Sequence, residues 1–159
     1  MIRAIFAVDE KCGIGKKNQL PWAKNSEDLK WFKECTDAQA IVMGRNTWES
    51  LPVKPLPNRK NIIVSNTTKA LDEAEVVSRD IYKSRLNVIA ADMPVWIIGG
   101  SVLFGDAIDI VDELWISRIK GDFQCDTFLN EQTIKEKFEL YSSGSRKGLW
   151  IEKYKRKES

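Results

Sequence analysis

The chain contains no histidine. That absence removes His-based triads, His metal ligands and His general bases together. Cysteine is scarce too. Cys12, Cys35 and Cys125 are odd in number and form no C-x-x-C pair, so free thiols in a reducing cytoplasm are expected, with no zinc or other metal site. No apolar run approaches a membrane-spanning length, and "MIRAIFAVDE" is too short for a signal or membrane segment, so no membrane association is expected. An excess of one charge is also lacking. Lys and Arg number 25 against 23 Asp and Glu, and no basic stripe is interleaved with aromatics, which argues against a nucleic-acid partner. The basic tail "EKYKRKES" reads as a solvated terminus. Repeats, low-complexity tracts and the G-x-G-x-x-G fingerprint are all missing. Any proton chemistry must therefore use a carboxylate, a tyrosine, a lysine or water.

What is present suits one domain over residues 1–159, with enough chain to bury a sizeable core. "IRAIFAV", "AIVMG", "NIIVS", "EAEVVS", "PVWIIGG" and "ELWISRI" read as strands. "SEDLKWFKECT", "NTWESL", "DIYKSRLNVIAA" and "SVLFGDAI" read as helices between them, and "LPVKPLPNRK" as a proline-punctuated loop. The end, "FELYSSGSRKGLWIEKYK", predicts two alternating strands around a polar turn holding two glycines. The fold class is α/β: a central mixed, mainly parallel β-sheet flanked by helices, closed by a C-terminal antiparallel hairpin. Ligands of such sheets bind at the carboxyl ends of the strands.

Two adjacent acids, Glu27 and Asp28, open the first helix. At about 100° per residue, Leu29, Trp31, Phe32 and Cys35 form one apolar arc with Asp28 near its middle. Glu27 lies about 100° from Asp28, beside Glu34 on the polar side. Glu27 then reads as a solvated first-turn acid. Asp28 has two readings: a helix-capping acid, or a buried carboxylate with a raised pKa that binds and helps to protonate a ligand.

Six segments in order resemble the dihydrofolate reductase family: "GIGKKNQLPW", "DLKWFK", "VMGRNTWESL", "PLPNRKNIIVS", "WIIGGSVLF" and "CDTF". The resemblance covers nearly the whole chain. It implies hydride transfer from NADPH to the pteridine ring of 7,8-dihydrofolate, with a proton gained at N5. Asp28 matches the family's active-site acid, whose two oxygens pair with the pterin. Trp22 matches the tryptophan that holds a water near that acid, and Leu20 the residue that shields the nicotinamide. Ile5, Phe6 and Ala7 match the backbone edge and wall of the pterin pocket. Leu29, Phe32, Leu51, Leu56 and Ile98 match its apolar walls, and Ser117 stands where threonine is usual, able to bond to Asp28. Arg59 matches the clamp on the glutamate α-carboxylate, for which a guanidinium fork is suited. Lys33 reads as a solvated helix lysine.

On the cofactor side, the resemblance implies phosphate contacts from Gly44, Arg45, Asn46 and Thr47 and from Gly99, Gly100 and Ser101, with a cis Gly99–Gly100 bond. Arg45, Ser65, Asn66 and, less closely aligned, Arg79 match the 2′-phosphate site that favours NADPH over NADH. Ala7, Ile14, Gly15, Leu20, Ile98, Val102, Leu103, Phe104 and Thr127 complete the implied cofactor contacts. The segment from Asp9 to Lys24 matches a mobile lid. A cytoplasmic monomer is expected.

Some positions depart from the pattern. Phe104 replaces a common tyrosine, Val102 an arginine found in some members, and one extra residue separates Trp22 from Asp28. A same-fold pyrimidine reductase of riboflavin synthesis should lack both Asp28 and Arg59. A non-catalytic folate-binding or structural protein is the other alternative.

Overall fold

Apolar residues along the central strands bury both faces of one sheet. The computed structural model describes residues 1–15, 26–71 and 73–158. Strands β1 (Ile2–Val8), β3 (Ala40–Gly44), β4 (Lys60–Val64), β5 (Glu75–Val77), β6 (Val95–Gly99) and β7 (Glu113–Arg118) are parallel. The hairpin β9 (Phe138–Arg146) and β10 (Leu149–Arg156) adds to β7 antiparallel, giving the order β5-β4-β3-β6-β1-β7-β10-β9. A second, two-stranded sheet joins β2 (Gly13–Gly15) to β8 (Thr127–Phe128).

The period-two pattern sorts side chains to opposite layers. Ile2, Ala4, Phe6 and Val8 of β1 face a core shared with Tyr82, Leu86 and Ile89 of α3 (Tyr82–Ala90), with Leu103 and Phe104 of α4 (Ser101–Asp106), and with Ile134 of α5 (Glu131–Lys137). Ile5 turns the other way and packs with Ile41, Met43, Ile63 and Trp96. Trp31, Phe32 and Cys35 of α1 (Ser26–Thr36) cover that second face, joined by Trp48 of α2 (Arg45–Ser50).

The chain passes from β1 over α1 to β3, and β6 later fills the gap between them. Pairing of β1 with β6 runs from Ile2↔Val95 to Ala4↔Ile97 and stops there. Pairing of β1 with β7 continues to Val8↔Arg118. The carboxyl halves of β1 and β6 therefore separate, and a crevice opens where the strand order reverses.

The expected mixed, mainly parallel sheet and the terminal hairpin are present. Some boundaries differ. The hairpin turn lies at Lys147 and Gly148, both at positive φ, whereas Gly144 sits within β9, so one glycine makes the turn rather than two. The helix expected over 80–91 runs over Tyr82–Ala90, and the one expected over 101–108 ends at Asp106 before a 3-10 turn at Ile108–Ile110. The short pair β2 and β8 and the helix α5 are additions to the expected elements. α5 carries an Asn130 cap whose side chain accepts from the Thr133 N–H at 3.1 Å, a readable start signal.

Candidate active site

The α1 sequence aims one carboxylate inward. Asp28 is 5 % exposed and its Oδ1 accepts a hydrogen bond of 3.1 Å from the Ser117 hydroxyl, itself 2 % exposed on β7. Glu27 stays half-exposed and meets Lys30 at 3.6 Å along the helix. The helical wheel separates the two acids correctly. It places Leu29 less well: that side chain is 45 % exposed, because it stands at the edge of the apolar arc, where the helix surface turns from the sheet.

On the face of the sheet that α1 covers, Phe32, Leu51, Leu56 and Ile98 are half-buried and pack with Ile5 in one cluster. These expected wall residues come together from α1, the end of α2, the following loop, β6 and β1. Phe6 projects into the opposite layer, edge-on to Phe104 at 5.3 Å, so only its backbone shares the Asp28 face. Ala7 pairs with Ser117 in register.

Arg59 sits beyond Phe32, its guanidinium carbon 5.7 Å from the ring centre. Its Nη1 donates to Thr36 Oγ1 at 3.2 Å and its Nε to the Pro57 carbonyl at 3.0 Å. Partial burial pushes its pKa down, opposed by the nearby Asp37 charge, yet a guanidinium stays protonated at any working pH. Asp28 and Thr36 are separated along α1 by about 12 Å at the usual helical rise. An elongated ligand with a planar donor group at one end and an anion at the other matches that span. Asn61 was not among the expected site residues. Its side chain accepts from Leu56 N–H and donates to the Leu56 and Arg59 carbonyls, all at 3.0 Å, which holds the loop carrying both residues. A polar residue directly ahead of the apolar run of β4 was the available signal.

Across the crevice, the strand-to-helix turns at Gly44–Thr47 and Gly99–Ser101 lie side by side. Gly99 has φ of 142°, the Gly99–Gly100 bond is cis as expected, and a Cβ built on Gly99 would lie 3.2 Å from Thr47 Oγ1. A Cβ on Gly44 would meet nothing within 4 Å, so backbone is open there. Arg45 donates to Thr67 Oγ1 at 3.2 Å and pairs with Glu49 at 3.0 Å. Ser65 Oγ accepts from the N–H groups of Thr67 and Thr68 at 3.2 and 3.0 Å, shaping the loop at the end of β4. Asn66 Oδ1 accepts from the Arg79 N–H at 2.8 Å, which brings that residue to the same rim. Thr67 and Thr68 extend the expected set. Asn46 is exposed, Ser101 half-buried, Leu103 buried, and Val102 is 72 % exposed.

Ile14, Gly15 and Thr127 meet through the β2–β8 pair, where Gly15 opposes Thr127. Asp9 anchors this corner. Its buried carboxylate accepts from the N–H groups of Lys11, Gly13 and Phe123 at 2.9, 2.8 and 3.1 Å. Burial alone would raise its pKa, but these backbone donors and the Cys125 thiol outweigh it and hold the group below its ordinary value. Leu20 and Trp22, with most of the expected lid, lie outside the described residues.

A family model described as dihydrofolate reductase matches residues 1–155. The chain belongs to the dihydrofolate reductase family. A dihydrofolate reductase of Staphylococcus aureus (strain MSSA476) is 40% identical over 139 residues, 87% of this chain and 83% of that one. The dihydrofolate reductase of Bacillus subtilis (strain 168) is 37% identical over 131 residues, covering 82% of this chain and 76% of its own. Among solved structures, dihydrofolate reductase from Enterococcus faecalis complexed with NADP(H) and RAB-propyl aligns over 99% of this chain and 97% of its own, with a TM-score of 0.86 and 31% identity. Among the described residues, no helix is long and apolar enough to cross a membrane.

Proposed function

We propose that the protein reduces 7,8-dihydrofolate to 5,6,7,8-tetrahydrofolate with NADPH as the reductant. The observation that carries this reading is the buried Asp28 carboxylate, bonded to Ser117 at the mouth where β1 and β6 part, in a chain of the dihydrofolate reductase family.

The donor set on the cofactor side fits a phosphorylated dinucleotide. Arg45, the hydroxyls of Thr47, Ser65, Thr67 and Ser101, and the open backbone at Gly44 and Gly99–Ser101 offer donors to phosphate oxygens. Arg45 with the Ser65–Thr68 loop favours the 2′-phosphate, hence NADPH over NADH. Bound NADPH supplies the hydride that the substrate's ring carbon accepts.

The chain's own residues orient the substrate and assist its proton. Asp28 offers two acceptor oxygens in one plane to the pterin's amino and ring N–H donors. Ser117 donates to Oδ1 and fixes the carboxylate's rotation. The negative charge beside the ring favours the protonated substrate, with the N5 proton arriving through water. Ile5, Phe32, Leu51, Leu56 and Ile98 keep the remaining contacts apolar. Arg59 offers Nη donors to the α-carboxylate at the far end. A cytoplasmic monomer is the expected working form, in keeping with the free thiols of Cys12, Cys35 and Cys125.

The test is the loss of NADPH absorbance on adding 7,8-dihydrofolate, with Asp28→Asn and Glu27→Gln alongside. Wild type and Glu27→Gln are expected to turn over similarly, and Asp28→Asn to lose about 100-fold or more in rate at neutral pH while keeping its NADPH affinity. An inactive wild type that still binds NADPH would refute the reading. Equal losses in the two variants would refute the role of Asp28.

A further inference from the structure

We propose that Trp31 and Trp115 are a positioning pair for Asp28: their stacked rings set the seat of α1 on β7 and so place the carboxylate. The inference rests on the dihydrofolate reductase reading above.

Trp31 lies one helical turn beyond Asp28, and Trp115 lies two residues before Ser117 on the same face of β7. The contacts of the helix with this strand include Asp28 on Ser117 and Trp31 on Trp115. The Ser117 contact is a single hydrogen bond of 3.1 Å. The ring centroids of the tryptophans are 6.0 Å apart with planes inclined by 20°. The second contact lies about 4.5 Å along the axis at the usual rise of about 1.5 Å per residue, so it adds leverage on the helix's rotation and advance to the packing of Phe32 and Cys35.

Trp115 is the rigid half. Its indole N–H donates to Glu113 Oε1 at 2.9 Å, and Arg3 Nε and the Tyr141 hydroxyl hold the same oxygen at 3.2 and 2.8 Å. Trp96 meets its ring edge-on at 5.1 Å. Lys153, its register partner on β10, puts Nζ 4.0 Å from the ring centre. Trp31 is the half carried by the helix. Its indole N–H is buried with no hydrogen-bond partner among the described residues. Its ring contacts Trp115 and the cations of Arg146 and Lys153, 5.1 and 5.9 Å from its centre. Glu34 pairs with Arg146 and ties that cation back to α1. The pair is thus a bolt between two clamped plates, and the carboxylate it steadies must sit within about 0.5 Å of its productive place.

The test is steady-state kinetics of Trp31→Leu, Trp115→Leu, Trp31→Phe and Trp115→Tyr, each with and without Ser117→Ala, with melting temperature measured for every variant. Either leucine variant is expected to lose about 10-fold in kcat/KM for dihydrofolate with the KM for NADPH unchanged. The aromatic replacements keep a stacked ring and are expected within about 2-fold of wild type. Ser117→Ala is expected to lower kcat/KM several-fold in the wild type and to add little in either leucine variant, since both changes release the same carboxylate. Losses that multiply, losses equal in leucine and aromatic variants, or an unchanged kcat/KM in a folded leucine variant would each overturn the pair's role alone. If one leucine variant fails to fold, the other decides. A wild type unable to oxidise NADPH with dihydrofolate would overturn the function reading, and the pair's role with it.

Discussion

Asp28 and Glu27 are neighbours of the same chemistry, yet only one is buried against Ser117. A difference of one residue rotates a helical side chain by about 100°, so the local pattern of Leu29, Trp31, Phe32 and Cys35 was enough to tell them apart. Arg59 was harder to assign. A loop arginine has no periodic signal, and only its placement over Phe32 and against Thr36 shows it fixed beside the apolar walls. Arg59→Gln is expected to raise the KM for dihydrofolate by about 10- to 100-fold, the worth of a lost charge-assisted pair, with little change in the KM for NADPH. Parallel loss of both affinities in steady-state kinetics would remove the clamp from the account.

Among the elements, the three-residue edge strand β5 shows how a weak strand is secured. Glu75 accepts from Nε and Nη2 of Arg85 on α3, at 2.7 and 2.8 Å, and meets Lys60 of β4 at 3.3 Å. The Arg85 bonds, with help from Lys60 and against some burial, push the Glu75 carboxyl down to about 2. A folded-state pKa below the unfolded value means that the stabilisation is complete above about pH 4.5 and is lost as pH falls through about 2. Glu75→Gln is therefore expected to lower the melting temperature at pH 7 and to match wild type near pH 2. A constant difference across that range, read by thermal denaturation, would sink the argument. The elements that escaped the sequence reading were short: β2 and β8 have three and two residues, below any periodicity window.

Taken whole, the molecule gathers the proposed cofactor donors from the ends of β3, β4 and β6, and the proposed substrate residues from β1, β7, α1, the end of α2, the following loop and Ile98 of β6. A ligand that binds across so many elements of the folded state, and none of the unfolded chain, stabilises the fold by mass action. NADPH at about 100 times its Kd should contribute about 2.7 kcal/mol, or roughly 5–10 °C in melting temperature for a chain of this size. NADH at the same concentration should shift it less, because the Arg45 and Ser65–Thr68 rim would gain no phosphate. Equal shifts with the two cofactors in a thermal melt would argue against that rim as the selective feature.

The sequence alone determined the alternation of strands and helices, the inward turn of Asp28 and the ordered motifs of the dihydrofolate reductase family. Those features are written within windows of a few residues, where side-chain period and turn chemistry act directly. Only the tertiary structure decided that β6 parts from β1 after Ala4↔Ile97 and that Trp31 lies on Trp115, and it gave the Ser117–Asp28 bond that the resemblance implied its geometry across 89 residues. Such contacts depend on strand order and on how a helix seats over a sheet, which no local pattern encodes.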